Sequence, residues 1–269
     1  MNALSLYLSY LRNCLRAQML YPTAFLLRFG SQFVITITEF GGLYALFLRF
    51  SHIRGWTFPE IALFYGVVSV AFAVADSTCR GFDMFGPQFV KTGHFDRVLL
   101  RPRTATLQLM GFEFGFTSLG RVIQGLVALA IAIGLLHLDW SVGKAVLLIW
   151  AMAGGFALFF AILLLQATLS FWTVESLEIV NTLTYGGIEA AQYPLDIYAN
   201  WFRKFLTFVV PLGCVVYFPV AAVLGRSEAA GVARRCAALH EHGKLIVVLY
   251  ENVWLSANRT GKPTAPSLR

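Results

Sequence analysis

Hydrophobic positions along this chain fall into four long runs joined by short polar segments, with a more broken pattern at each end. In residues 1–22, Leu4, Leu8, Leu11 and Leu15 share one narrow arc at helical spacing, while Ser5, Ser9, Arg12, Asn13 and Arg16 lie elsewhere. That spacing predicts a short amphipathic helix ended by Pro22, too polar to cross a bilayer and suited to its interface. The run "AFLLRFGSQFVITITEFGGLYALFL", residues 24–48, is long enough to cross a hydrocarbon core of ~30 Å at ~1.5 Å per residue. The loop "RFSHIRGWTF" leads to a second predicted span over 59–79. A third covers 117–136, with "LQLMGFEFGF" extending it as helix at its start, and the loop "HLDWSVGK" joins it to a fourth over 145–172.

Beyond Trp172 two readings stand side by side. The stretch 174–192 carries Glu175, Glu178 and Glu189, which are costly on a lipid-facing helix. The stretch 205–225 is more apolar but is broken by Pro211 and Pro219. Hydropathy alone selects the second as a fifth span. A polar fifth span followed by a proline-broken re-entrant hairpin is equally allowed where protein shields both. Residues 227–269 contain one apolar run, Leu245 to Tyr250, far too short to cross.

Composition turns these runs into a class. Of 269 residues, 58% are hydrophobic and 13% charged, with mean hydropathy +0.68. A soluble domain carries about 25% charged residues, and a chain of this size still exposes a large surface. The protein is therefore integral to a membrane. The net charge of +7 then records topology rather than nucleic-acid binding. Arg12, Arg16, Arg80, Lys91, Arg97, Arg101 and Arg103 fall on one side of the predicted spans, against Arg49, Arg54 and Lys144 on the other. This bias places the N-terminus and the 80–105 segment in the cytoplasm. Trp56, Trp140 and Trp172 lie near predicted span ends, as interfacial tryptophans do. The N-terminus has no A-x-A site, and its arginines follow apolar residues, so it is not a cleaved signal peptide.

Catalytic chemistry is sparse. Cys14, Cys79, Cys214 and Cys236 form no CxxC pair and read as incidental or structural thiols. Cys236, His240 and His242 match no standard metal spacing, so no metal site is expected. The Gly-Lys pairs at 143, 243 and 261 lack the upstream glycine of a phosphate-cradling loop. There is no HExxH or GxSxG. The informative charges sit within or beside spans. Glu39 lies deep in the first span, where an ionisable group faces protein or a water-filled path. Asp76 and Arg80 have the spacing of a helix-end ion pair. Arg28 can snorkel to the interface, and Glu113 and Arg121 each need a partner on another element.

The basic segment "GHFDRVLLRPRTATLQ", residues 93–108, stands out between two hydrophobic stretches. Pro87 and Gly93 break the chain before it, and "FDRVLLRPR" reads as a short helix stopped near Pro102. Lys91, Arg97, Arg101 and Arg103 beside Phe95, Val98, Leu99 and Leu100 form an amphipathic knob. Such a knob can lie on anionic lipid or dock into a partner's groove, and composition leaves both open.

That segment, the later Phe171-Trp172 pair, and "YPLDIYANWFRKFLTFVVPLGCVVYFPVAAVLG" together resemble a branch of the bacterial type-2 ABC exporter permeases over residues 1–226. The resemblance implies an all-α polytopic membrane protein with an N-terminal interfacial helix and five or six transmembrane helices with a re-entrant hairpin. It divides the chain into an interfacial helix (1–22), a permease domain (23–226) and an atypical tail (227–269). Relatives end in a further span that the tail does not supply, which marks either a variant or the end of a shifted reading frame. The resemblance further implies a pairing with a second permease subunit, as a homodimer or a heterodimer, in the bacterial cytoplasmic membrane. Separate ABC ATPase subunits would use ATP and Mg, and this chain would bind no cofactor. Residues 1–20 and the knob would contact those ATPases through Gly93, Phe95, Asp96, Arg97, Leu100, Arg101, Pro102 and Arg103. Glu39, Glu175 and Glu178 are candidate pathway-lining residues. The cargo implied is a small molecule: a drug, a toxic organic cation or an antibiotic-like compound. The competing class is an ATP-independent secondary transporter or channel. Such transporters often repeat one half of the chain in the other, and no repeat is visible here. A membrane-embedded enzyme ranks third, because catalytic clusters are missing.

Overall fold

Four helices carry the long hydrophobic runs, and the second of them is the axis of the molecule. The computed structural model describes residues 3–101, 104–136, 138–171 and 177–226. Helix α1 spans Ala3–Gln18, α2 Pro22–Arg49, α3 Phe58–Asp83, α4 Phe95–Leu99 and α5 Ala105–Met110. Then follow α6 Ser118–Leu135, α7 Val142–Leu169, α8 Leu177–Ala191, α9 Asn200–Phe208 and α10 Phe218–Val223. No strand occurs among the described residues, and α2, α3, α6 and α7 are long and apolar enough to cross a membrane. The protein is an all-α, polytopic membrane protein.

Helix α3 starts on a capping box, in which the Thr57 backbone N–H donates to Glu60 Oε2 at 2.8 Å, so one otherwise orphaned donor is satisfied. Most of its apolar residues are buried against α6 and α7, Val74 being an exposed exception. The α3–α6 crossing is close because it is built on glycine. A side chain at Gly66 would meet the Leu129 amide nitrogen at 2.9 Å, and one at Gly125 the Val70 amide nitrogen at 3.0 Å. Small residues at such a crossing bring backbones together where lipid supplies no hydrophobic drive. Helix α2 packs mainly on α6 and leaves Leu26, Leu27, Val34 and Ile37 exposed, a surface suited to lipid.

The chain departs from its sequence pattern in four places. Helix α3 runs past residue 79 to Asp83 and continues through a π-helical turn at Gly86–Val90. Its polar residues do not end it because they are paired against neighbouring helices. The Asp76–Arg80 pair forms as expected near the end of α3, with Arg80 in its last turn. Residues 105–117 do not extend α6: α5 ends at Met110, and a turn intervenes before Ser118. Carbonyl groups in that turn accept bonds from α1 side chains instead of helical N–H groups. Trp56 is not an interfacial anchor, being 1% exposed under the Arg226 guanidinium, 3.6 Å from its ring centre. Trp140 is exposed as expected, and Trp172 lies outside the described residues.

The fourth departure settles which reading fits residues 193–226. Arg54 Nη1 donates to the Asp196 carbonyl at 2.8 Å, and the Tyr217 hydroxyl donates to the Asp196 carboxylate. Arg226 Nη2 donates to the Gly55 carbonyl at 2.8 Å and to Glu60 Oε1 at 2.9 Å. Both ends of the segment thus meet the same loop. Between them, α9 and the stretch Gly213–Val223 are bent by 83°. The segment enters and returns, so it is the re-entrant hairpin rather than a through-going span. Helix α8, with its 15 residues, packs against α3 and α7. The expected missing last span falls on 227–269, outside the described residues.

Candidate functional site

At the end of the bundle where α1 lies, α1, the end of α3, and α5 with the turn after it join into one body. Gln18 Nε2 donates to the Phe114 carbonyl at 3.3 Å. The Cys14 thiol points at the Phe112 and Gly111 carbonyls at 3.5 and 3.7 Å. The Tyr10 ring lies so close to Gly111 that a Cβ there would approach its Cδ2 to 2.4 Å. Helix α1 is thus seated on the turn after α5. Helix α5 in turn sits on α3, where a Cβ at Gly81 would fall 1.9 Å from the Leu109 carbonyl oxygen. Burial pushes the Cys14 thiol up from its ordinary value of 9.0, with Glu113 adding to the rise against the Phe114 backbone, which lowers it.

The knob hangs from this body. Gly93 takes φ +68°, a left-handed conformation that glycine adopts without steric cost, and the chain reverses there into α4. Phe95 and Val98 turn inward, and Gln108 Nε2 donates to the Val98 carbonyl at 3.1 Å. Asp96, Arg97, Leu99, Leu100 and Arg101 face outward, Leu100 being 84% exposed. The structure therefore brings together Asp96, Arg97, Leu100 and Arg101 as one basic and apolar face. Pro102 and Arg103 lie outside the described residues.

Behind the knob runs a polar ladder. Asp76, 5% exposed, accepts from Arg80 Nη1 at 3.2 Å and from the Ser118 hydroxyl of α6. Arg80 also lies 3.5 Å from Asp83 Oδ2, whose Oδ1 accepts from Gln166 Nε2 of α7 at 3.1 Å. Buried charges persist when they are paired and hydrogen-bonded, and here the pairing also ties three helices together. Cys79, inside the ladder, departs from helical geometry at φ −115°, ψ 16°, so α3 bends there.

A second polar group lies towards the membrane interior. Glu189 on α8 is within electrostatic reach of both Glu39, exposed on α2, and Arg121 on α6. The Arg121 guanidinium lies over the Phe72 ring, 5.4 Å from its centre, the partner on another element that its position required. Gln124 Nε2 donates to the Tyr65 hydroxyl at 2.9 Å and to the Thr36 carbonyl. Glu175 lies outside the described residues and Glu178 falls on α8 with its side chain outside them. The grouping visible among the described residues is thus Glu39 with Glu189 and Arg121. Glu189 had been marked only as a cost to a lipid-facing helix. Phe171, Gln108 and Arg226 were missed as interaction residues. The sequence signals near them were the Phe-Trp pair and the basic segment that ends on Gln108.

Among the described residues, no group of three or more His, Cys, Asp or Glu residues could hold a metal ion. The arrangement is a bundle of spans, a fused body at one end carrying an exposed basic and apolar face, and charged residues within the spans. These features are those of a polytopic membrane protein. The chain belongs to the ABC-2 transporter family: the family model described as "ABC-2 family transporter protein" matches residues 33–259. The match starts within α2 and extends past Arg226, where the recognisable motifs stop. No significant match is found to a curated protein or to a solved structure. Permeases of this family are transporter membrane subunits rather than catalysts, and in general they work with an ABC ATPase.

Proposed function

We propose that this chain is the membrane half of an ATP-driven exporter, in which separate ATPase subunits dock on the fused α1–α5 body and drive the export of a small molecule. The observation that carries this reading is the joining of the two expected contact elements. Residues 1–20 and the knob are more than 70 positions apart in sequence, yet both are fastened to residues 105–114. A partner pressing on either one moves a single unit. In this reading the α1 end is cytoplasmic, consistent with its excess of Arg and Lys, and the membrane is the bacterial cytoplasmic membrane. The cargo class is a drug, a toxic organic cation or an antibiotic-like compound. Glu39 and Glu189 cannot rest against lipid cheaply. A second permease subunit, as homodimer or heterodimer, covers that face and leaves the two carboxylates lining the pathway, with Glu175 and Glu178 as further candidates.

The test is the double variant Arg97→Glu, Arg101→Glu in the full chain. The expected result is loss of ATPase co-purification from mild detergent with membrane insertion unchanged. Undiminished co-purification would remove the docking role and return the knob to lipid binding or topology.

A further inference from the structure

We propose that Phe171 is a positioning residue that locks the knob helix α4 to the end of α7, so that a push on the knob is delivered to the fourth span. This rests on the docking reading above and specifies where the movement goes. Helix α4 has five residues, and only Phe95 and Val98 face inward. Besides its covalent ends, α4 can pass force to its surroundings through those two residues. Val98 leads to α5, through the bond from Gln108 to its carbonyl. Phe95 leads elsewhere. Its ring meets Phe85 edge-on at 5.1 Å and Phe171 edge-on at 5.1 Å, and Phe85 and Phe171 are themselves 5.1 Å apart.

Three rings in mutual edge-to-face contact, at interplanar angles of 88°, 64° and 71°, form a peg, a geometry that aromatic pairs favour. Phe85 follows α3, Phe95 belongs to α4, and Phe171 follows α7 directly. The peg lines a mostly apolar pocket with Phe82, Leu109, Leu164 and Ala167, together with Thr106. Beside it, a polar tie joins α7 to α3, Gln166 to Asp83, but that bond does not involve α4. The ring of Phe171 is therefore the aromatic contact between α4 and the end of α7, alongside the apolar cluster that Phe95 shares with Leu164 and Ala167. This assigns a role to the Phe of the Phe171-Trp172 pair.

The experiment uses the full chain with its co-purified ATPase in lipid nanodiscs, nitroxide labels being carried on genetically encoded ketone side chains. His94 and Leu165 label α4 and α7; Ile123 on α6 pairs with Leu165 as a second distance. All three positions are exposed. On trapping with ATP and vanadate, the Leu165–Ile123 distance should shift by about 2 Å or more while His94–Leu165 stays constant. In Phe171→Ala the pattern should reverse: His94–Leu165 shifts and Leu165–Ile123 does not. Phe171→Tyr, which keeps the ring, should behave as wild type. If Phe171→Ala does not insert, Phe171→Leu is read by the same two distances. A wild-type His94–Leu165 distance that changes with trapping overturns the proposal, as does a ring-deleted variant that behaves as wild type. If no ATPase co-purifies with the wild type, the docking reading itself has failed and the lock falls with it.

Discussion

Replacing Arg226 with Ala should loosen the re-entrant hairpin at its return end. Arg226 Nη2 bonds both Glu60 oxygens, at 2.9 and 3.1 Å, and the Gly55 carbonyl at 2.8 Å, while the guanidinium covers Trp56 at 3.6 Å. The Arg226 side chain is 36% exposed and that of Glu60 15%, so the ion pair is discounted to about 1 kcal/mol. Cation–π contact on a buried indole adds about 1 kcal/mol. The expected loss is about 2 kcal/mol, which corresponds to a Tm drop of roughly 4–8 °C for a chain of this size. Arg226→Lys should lose roughly half as much, because the ammonium lacks the planar fork. The assay is thermal unfolding in detergent, with acrylamide quenching compared against a Trp56→Phe control to isolate that ring. A double-mutant cycle of Arg226→Gln with Glu60→Gln should give a coupling of about 1 kcal/mol. An unchanged Tm together with unchanged Trp56 quenching in Arg226→Ala would refute the reasoning.

Other perturbations probe the opposite end. Gly81→Ala places a Cβ against the Leu109 carbonyl, a backbone atom that cannot rotate away; it should cost ~1–3 kcal/mol and speed hydrogen exchange in residues 105–116. Asp76→Leu leaves Arg80 with Asp83 but strands the Ser118 hydroxyl and should cost ~3 kcal/mol, whereas Asp76→Asn, which still accepts from Ser118, should cost ~1–2 kcal/mol; equal Tm drops would contradict the ladder. Cys14 has a folded-state value above its ordinary 9.0. The thiol therefore holds its proton more tightly when folded, and its contribution to stability is complete below pH 9 and is lost as pH rises through the folded value. Maleimide should label Cys14 more slowly at pH 8 in the folded protein than in urea, and equal rates would place the thiol in open solvent.

The spans were legible because their signal is long and redundant: twenty apolar residues outweigh any one polar intruder. What the sequence hid was pairing. Asp76, Arg80 and Asp83 look like the end of a helix when each is counted as a charge, yet with Ser118 and Gln166 opposite them the helix continues. Gly111 reads as a tolerable residue within a helical run until Tyr10, from the other end of the chain, occupies the space beside it. Trp56 was misplaced for a related reason. Its partner, Arg226, is 170 positions away, and a tryptophan near a span end has no local mark that separates an anchor from a buried ring. The hairpin was visible as two prolines in an apolar stretch, but hydropathy favoured a span. Contacts at both of its ends with residues 54–60 were needed to decide. Within the knob, residue identity gave the chemistry, and the backbone decided which side chains turn outward.

The most direct test of the whole account is purification of the tagged full chain in mild detergent from its own membranes, with mass spectrometry of whatever accompanies it. The account predicts an ATPase carrying a phosphate-binding loop, with a second permease chain where the assembly is a heterodimer. Recovery of this chain alone, active for transport in proteoliposomes without any ATPase, would contradict it.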